Sequence, residues 1–205
     1  MRVLPSGSTA LLVEVDGLEE VLGLYAALTA DRPAGVVDIV PAARTVLLVT
    51  DPAQTSLAAV ERAVRHTAPR RDSAGSGERV EIPVRYDGED LPEVAALLGV
   101  DPAEVVRRHT GREWTVAFCG FAPGFGYCTQ EGADWNVPRR STPRTRVPPG
   151  SVALAGEFTG VYPRESPGGW QLIGRTDVAV FDLSREPAAL LRPGVRVRFV
   201  DVGAA

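Results

Sequence analysis

Four arginines lie close together in a part of the sequence that contains no acidic residue. They are Arg139, Arg140, Arg144 and Arg146, and the segment from Asn136 to Gly156 has no Asp or Glu. A guanidinium group binds a carboxylate or phosphate through two parallel hydrogen bonds, and nearby prolines stiffen the backbone that carries it. The pattern predicts an anion site in which Arg139, Arg140 and Arg144 act. An exposed loop whose arginines pair with acids elsewhere would give the same pattern.

Two glycine-rich turns frame this segment, GFAPGFGY from Gly120 to Tyr127 and SPGGW from Ser166 to Trp170. Glycine lets a backbone turn sharply, exposed N–H groups of such turns can hold an anion, and the aromatic rings can form an apolar wall. Tight turns between the strands of a β-domain would give the same sequence pattern. We predict a substrate-binding surface made by Gly120, Phe121, Pro123, Gly124, Phe125, Tyr127, Gly168, Gly169 and Trp170.

His109 is placed at the C-terminal end of a predicted helix, where backbone carbonyls favour the charged imidazolium. It could move a proton or orient a hydrogen bond near the mouth of a barrel, or it could simply cap the helix. Cys119 could be a nucleophile only if one of the two histidines activated it, so an inert buried thiol is favoured. No closely spaced Cys or His pair occurs, which excludes a structural zinc site.

The first part of the chain is predicted to form a domain of its own, separate from the one that carries the candidate site residues. Periodicity predicts a strand over Ala10–Val15, a helix over Gly17–Ala30, strands over Val36–Val40 and Thr45–Thr50, and a helix ending near Thr67. This β-α-β-β-α order predicts an α+β ferredoxin-like domain over residues 1–78, completed by an edge strand. Arg79–Tyr86 supplies that strand or opens the next domain, and the polar segment 68–78 is the predicted linker.

The second part is predicted to carry the chemistry. Two short helices, one ending at Leu98 and one ending near His109, precede a series of strands separated by turns. Such spacing is typical of a small, mainly-β barrel or sandwich, here over residues 79–205. The predicted strands are Trp114–Phe118, Ser151–Ala155, Gln171–Gly174, Ala179–Leu183 and Val195–Val200.

Composition excludes several classes of function. The formal net charge of −4 argues against a nucleic-acid partner. All 22 basic residues are arginine, so the chain has no P-loop lysine and no Schiff-base lysine. No apolar run approaches the roughly 20 residues that span a bilayer. The first residues lack the pattern of a signal peptide, so we expect no membrane association, reduced thiols and a cytoplasmic location.

Several ordered motifs between Arg79 and Asp182 resemble one bacterial family. They are His109-Thr110, GFAPGF, VPRR, PRTRVPPGSVALAG, TGVYP, SPGGW and IGRT. Together they resemble the family of the B-type subunit of 5-oxoprolinase, also called allophanate hydrolase subunit 1, which includes the kinase inhibitor KipI. The chain departs from the family at Phe158, where a Gln is usual, and in the stretch Tyr127–Gly132.

The resemblance implies an N-terminal ferredoxin-like domain and a C-terminal cyclophilin-like barrel. It implies a subunit of an ATP-dependent amide hydrolase complex, with ATP as cofactor of the complex, a small amide or carboxylate substrate, and a sibling chain, the C-type subunit of 5-oxoprolinase or allophanate hydrolase subunit 2. It favours His109 as a site residue and adds Thr159, Tyr162 and Arg175 to the substrate-binding set. A histidine-kinase inhibitor and a component of a biotin-dependent urea carboxyltransferase are the alternatives.

Overall fold

The computed structural model describes residues 1–70 and 77–203 and divides the chain into two compact units, Met1–Ala74 and Gly75–Ala205. The middle of the predicted linker, residues 71–76, lies outside the described residues. Within the two described ranges, no helix is long and apolar enough to cross a membrane. No group of three or more His, Cys, Asp or Glu residues in those ranges could hold a metal ion.

The first unit is one antiparallel sheet with two helices. The sheet order is β1-β2-β4-β3, and α1 and α2 follow β2 and β4 in the chain. Valine and leucine side chains from the strands and helices form a single buried cluster. The elements are β1 (Arg2–Ser6), β2 (Ala10–Glu14), α1 (Leu18–Ala30), β3 (Val36–Pro41), β4 (Thr45–Thr50) and α2 (Leu57–His66).

One edge of this first sheet is β1, a strand that the sequence analysis did not predict. Arg2 to Ser6 pair antiparallel with Glu14 to Ala10. Of the two alternatives for Arg79–Tyr86, the structure supports the second, because Arg79–Val84 pairs with the last strand of the second unit. The ferredoxin-like assignment stays a prediction.

The second unit is built on a long, mixed sheet. Its elements are β5 (Arg79–Val84), α3 (Leu91–Leu98), α4 (Pro102–Gly111), β6 (Trp114–Cys119), β7 (Gly126–Thr129), β8 (Arg144–Val147), β9 (Ser151–Ala155), β10 (Phe158–Val161), β11 (Ser166–Gly168), β12 (Gln171–Arg175) and β13 (Arg196–Asp201). The sheet order is β12-β9-β10-β7-β6-β13-β5, and β8 and β11 form a separate two-stranded ribbon. The predicted strand Ala179–Leu183 is wrong, because only Phe181 bridges there, to Ala189.

The two ends of this sheet meet, so it is nearly closed into a barrel. Arg85, directly after β5, exchanges two backbone hydrogen bonds of 2.9 Å with Arg175 at the end of β12. Gly88 and Asp90 continue the contact by donating to the carbonyls of Ile173 and Leu172. The prediction of a mainly-β, barrel-like second part is therefore confirmed, and closure removes most of the unpaired sheet edge.

Candidate functional site

An aromatic cluster covers one face of the barrel sheet. Its rings meet edge to face, with centroids 5.2 Å apart for Phe125 and Tyr162 and 5.3 Å apart for Phe125 and Trp170. Such offset arrangements are the favourable ones for aromatic pairs. The structure thus brings the two glycine-rich turns together, as predicted. The aromatic cluster consists of Phe121, Phe125, Tyr127, Phe158, Tyr162 and Trp170.

Phe121 is the strained and exposed member of this cluster. Its φ of 66° is left-handed, and the Ala122 N–H donates to the Gly120 carbonyl at 2.7 Å, which closes a γ-turn around Phe121. This form of the turn is rare, and a bulky residue there costs on the order of 1–3 kcal/mol. The residue is 57% exposed. Backbone strain that presents an apolar ring to solvent is typical of a binding surface.

The SPGGW turn fits closely around the Tyr162 side chain. A methyl group on Gly168 would lie 2.3 Å from the Tyr162 hydroxyl oxygen, so only glycine allows this approach. The Trp170 backbone N–H binds the same hydroxyl. Burial raises the pKa of Tyr162, although that hydrogen bond and the charge of Arg139 act in the opposite direction. The Tyr162 hydroxyl is therefore protonated at neutral pH, and its ring forms part of the apolar surface.

Two of the three predicted anion-binding arginines are already paired. Arg144 forms two 2.8 Å hydrogen bonds to the Asp90 carboxylate, and Arg140 adds a third of 2.6 Å. The Leu172 N–H donates to the same carboxylate at 2.7 Å. Burial alone would raise the pKa of Asp90, but the hydrogen bonds from Arg144 and Leu172 and the arginine charges hold it below its usual value. Arg140 and Arg144 thus anchor the segment, because their charges are neutralised internally.

Arg139 is exposed, and unlike Arg140, Arg144 and Arg146 it has no acidic partner among the described residues. No ion pair within residues 1–70 and 77–203 involves it. The next residue, Arg140, donates its backbone N–H to the Gly169 carbonyl at 2.8 Å, which places this stretch beside Trp170. Burial raises the pKa of Tyr127, and the charge of Arg139 opposes that rise. Arg139 is therefore free to bind an anion at the edge of the aromatic cluster.

His109 lies in the core and is completely buried. Its Nδ1 is 2.7 Å from the Tyr86 hydroxyl, and its Nε2 is 2.8 Å from Thr159 Oγ1. Thr159 donates to the Ala153 carbonyl at 3.1 Å, so we assign the ring proton to Nε2, which donates to Thr159. Burial lowers the pKa of His109 to about 3. The expectation of a charged imidazolium is therefore wrong, because burial destabilises the charged form more than the carbonyls at the helix end stabilise it.

His109 and the aromatic cluster lie on opposite faces of the sheet. Thr159 faces His109, whereas a methyl group on its neighbour Gly160 would lie 2.9 Å from the Phe125 ring. Successive residues of a strand point to opposite faces. The His109 ring packs against Trp114 and Phe199 in the barrel core. The sequence prediction that His109 and Thr159 act beside the arginines therefore has no support from the geometry.

The remaining predicted residues fall into two groups. Gly120 and Pro123 lie in the Phe121 turn, and Gly124 packs so closely on Phe181 that a methyl group there would lie 2.5 Å from it. Arg175, by contrast, pairs with Asp87 at 2.8 Å at the closure of the barrel sheet, away from the aromatic rings.

The thiols and the fourth arginine also have local explanations. Burial raises the pKa of Cys119 to about 11, and its Sγ lies 3.2 Å from the Leu191 carbonyl. Burial also raises the pKa of Cys128. Both thiols are therefore protonated at neutral pH, and the sequence had favoured an inert thiol for Cys119. Arg146 forms an exposed pair with Glu165 at 2.5 Å.

A separate cleft of about 380 Å³ lies at the C-terminal end of α4. It shares no lining residue with the aromatic cluster. Gln130 lies in it and donates to the carbonyls of Arg108 and Arg112, while accepting from Trp135 Nε1 at 3.1 Å. These contacts cap the end of α4, so we interpret Gln130 as structural.

Sequence reasoning missed Asp90 and Phe158 as site residues. Asp90 reads in the sequence only as a residue that begins a helix, and no local signal connects it with Arg140, which follows 50 residues later. Phe158 stands out in the sequence only as a departure from the family. Its ring packs 5.7 Å from that of Tyr127, where an aromatic side chain completes the apolar wall.

The chain is similar to proteins of known sequence and known structure. The chain is 38% identical over 203 residues to the B-type subunit of 5-oxoprolinase from Escherichia coli O157:H7, covering 95% of this chain and 93% of that protein. The crystal structure of TTHA0988 in space group P212121 matches with 39% identity and a TM-score of 0.76. It covers 96% of this chain, and this chain spans only 40% of that one.

More distant matches bear on the fold alone. The crystal structure of the urea amidolyase of K. lactis matches 98% of this chain and 15% of that one, with 18% identity and a TM-score of 0.76.

The sequence profile of the carboxyltransferase domain, subdomain C and D, matches residues 1–191. The chain therefore belongs to the carboxyltransferase domain family, subdomain C and D, together with the B-type subunits of 5-oxoprolinase.

Proposed function

We propose that this chain is the B-type subunit of an ATP-dependent 5-oxoprolinase complex, which opens the lactam of 5-oxoproline to glutamate. The observation that carries the proposal is the 38% identity that extends over nearly the whole length of the E. coli protein. The aromatic cluster with the exposed Arg139 beside it supplies a surface that suits this substrate. The chemical class is C–N hydrolysis by the complex, and the chain alone is inactive.

The chemistry of 5-oxoproline matches this surface. The substrate is a small, nearly flat lactam ring that carries one carboxylate. Arg139 binds the carboxylate, since a guanidinium group matches its two oxygens. Phe121 and Tyr127 contact the ring, because their partly exposed faces offer apolar area beside that charge. Arg140 and Arg144 hold the segment, and they do not contact the substrate.

The site is completed by a sibling chain of the C type. The aromatic cluster is a shallow surface whose rings pack mainly on one another, and a neighbouring polypeptide would exclude water from it. ATP binds to the complex elsewhere, because this chain has neither a lysine nor a P-loop. We assign the two units a ferredoxin-like and a cyclophilin-like fold. The two free thiols, Cys119 and Cys128, fit the reducing cytoplasm.

The test is reconstitution with the sibling chain. ADP release is measured with 5-oxoproline, allophanate and urea, for each protein alone and for both together. The proposal predicts release only with both proteins and 5-oxoproline. ADP release that follows allophanate, or transfer of a carboxyl group to urea, would contradict it and favour the other reactions. Affinity capture from the host adds a second readout, since a bound histidine kinase would favour an inhibitor.

A further inference from the structure

One buried carboxylate connects the barrel to the arginine segment. Asp90 has a side chain only 4% exposed, and it accepts from Arg140, from both nitrogens of the Arg144 fork and from the Leu172 backbone. We propose that Asp90 is a positioning residue, which fixes the segment from Arg139 to Arg144 so that Arg139 faces the aromatic cluster. Its effect on substrate binding rests on the proposed function, whereas its effect on Arg139 does not.

Asp90 is itself held rigidly on the barrel. Its backbone N–H donates to the Leu172 carbonyl at 2.9 Å, and its carboxylate accepts from the Leu172 N–H at 2.7 Å. Its own carbonyl accepts from Val94 in the first turn of α3. The carboxylate is therefore fixed to β12 and to α3 at once. A group held in this way can set the position of whatever binds to it.

The arginine segment depends on this carboxylate. Arg140 has a main-chain bond to Gly169, and Arg144 begins β8, whose register with β11 is irregular between Ser166 and Gly168. Arg144 has a second, exposed partner, Glu89, at 3.0 Å. Without the Asp90 charge, two guanidinium groups would lie at the barrel surface with their main counter-charge removed. The segment would then rearrange.

Arg139 would follow such a rearrangement. Its guanidinium makes no ion pair within the described residues, so the anchored backbone of Arg140 determines where it points. A binding group displaced by about 1 Å loses much of its contribution, because the hydrogen bonds of a guanidinium fork depend on geometry. Asp90 thus affects substrate binding through the position of Arg139 and does not itself contact the substrate.

The test compares Asp90→Asn with a matched control, Glu165→Gln. Both changes convert a carboxylate that pairs with an arginine into its amide, but the Glu165 side chain is 50% exposed and its partner is Arg146. The chain is labelled with ¹³C at the tyrosine ζ carbon, and Tyr127 and Tyr162 are followed by NMR. Arg139→Ala defines the shift caused by removing that charge. Asp90→Asn is expected to reproduce this shift, and Glu165→Gln is expected to leave the wild-type positions.

A folded Asp90→Asn chain with wild-type resonances for Tyr127 and Tyr162 would overturn the proposal. If this variant does not fold, Arg144→Lys replaces it, because lysine keeps the charge and loses the two-pronged contact with Asp90. The expected result is then a smaller shift in the same direction. Unchanged resonances in the folded lysine variant would equally overturn the proposal.

Kinetics of the reconstituted complex separate this inference from the proposed function. Asp90→Asn is expected to raise the KM for 5-oxoproline by about 10- to 100-fold with a smaller change in kcat, as for Arg139→Ala. The double variant is expected to be no worse than Arg139→Ala, since both act through one contact. If the effects of Asp90→Asn and Arg139→Ala on KM were additive in the double variant, the proposal that Asp90 positions Arg139 would be overturned. Matching NMR shifts with an unchanged KM in both single variants would uphold positioning and contradict substrate binding by Arg139.

Discussion

The buried, neutral His109 makes the stability of the second unit depend on pH. Burial lowers its pKa from 6.5 to about 3 in the folded chain, so between these values the unfolded chain binds a proton that the folded chain does not. Stability is therefore lost as pH falls below 6.5. One proton corresponds to about 1.4 kcal/mol per pH unit, and since the unfolded histidine is only half protonated at pH 6.5, the loss between pH 6.5 and 4.5 is about 2.3 kcal/mol.

The assay is urea unfolding followed by tryptophan fluorescence at a series of pH values. All 3 tryptophans, Trp114, Trp135 and Trp170, lie in the second unit, so the signal reports that unit alone. His109→Gln removes the titrating group and keeps an N–H near the Nε2 position for Thr159. The dependence of the unfolding free energy on pH below 6.5 is expected to become shallower by about one proton in this variant.

The control is His66→Gln, which removes the exposed histidine at the end of α2 in the first unit. It is expected to leave the tryptophan-detected transition unchanged at every pH. Equal slopes for wild type and His109→Gln would refute the reasoning, because they would mean that His109 takes up its proton equally in the folded and unfolded chains.

Three further substitutions test the site and its frame. Gly168→Ala is expected to displace the Tyr162 ring and to destabilise the second unit by about 1–3 kcal/mol, as measured by urea unfolding, whereas Gly203→Ala at the exposed end of the chain should cost less. Phe121→Gly is expected to relieve turn strain, so the chain should lose little stability while the KM of the complex rises; a large loss of stability would show that the ring acts in packing. Gln130→Ala is expected to cost about 1–3 kcal/mol, because it leaves the end of α4 and the Trp135 N–H without partners, and an unchanged midpoint in thermal unfolding would contradict this.

Local signals in the sequence predicted most of the helices and strands. The strands Ala10–Glu14 and Thr45–Thr50 and the helix Leu91–Leu98 follow from apolar periodicity and capping residues. The edge strand β1 was missed because it contains Pro5, and its residues are mostly exposed, so it shows no alternation of buried and exposed positions. The strand at Ala179–Leu183 was predicted from its apolar residues, but only Phe181 forms a bridge there, so no continuous strand pairing develops.

The site was predictable where it depends on local backbone chemistry. Glycines around Phe121 and at Gly168 indicate tight turns in the sequence, and the aromatic residues of both turns were expected to form one apolar surface. The pairing of Arg144 with Asp90 was not predictable, because the two residues are brought together only when the sheet closes. The same holds for His109, since its place near a helix end was clear but the face on which it lies was not.

The proposed function requires that substrate bind at the aromatic cluster through Arg139. The most direct measurement is the KM for 5-oxoproline of the reconstituted complex carrying Arg139→Ala, compared with Arg146→Ala, which alters an exposed pair on β8. Loss of a hydrogen-bonded charge contact of about 1.5–3 kcal/mol predicts a KM about 10- to 100-fold higher for Arg139→Ala and unchanged for Arg146→Ala. An Arg139→Ala complex with the wild-type KM would contradict the claim.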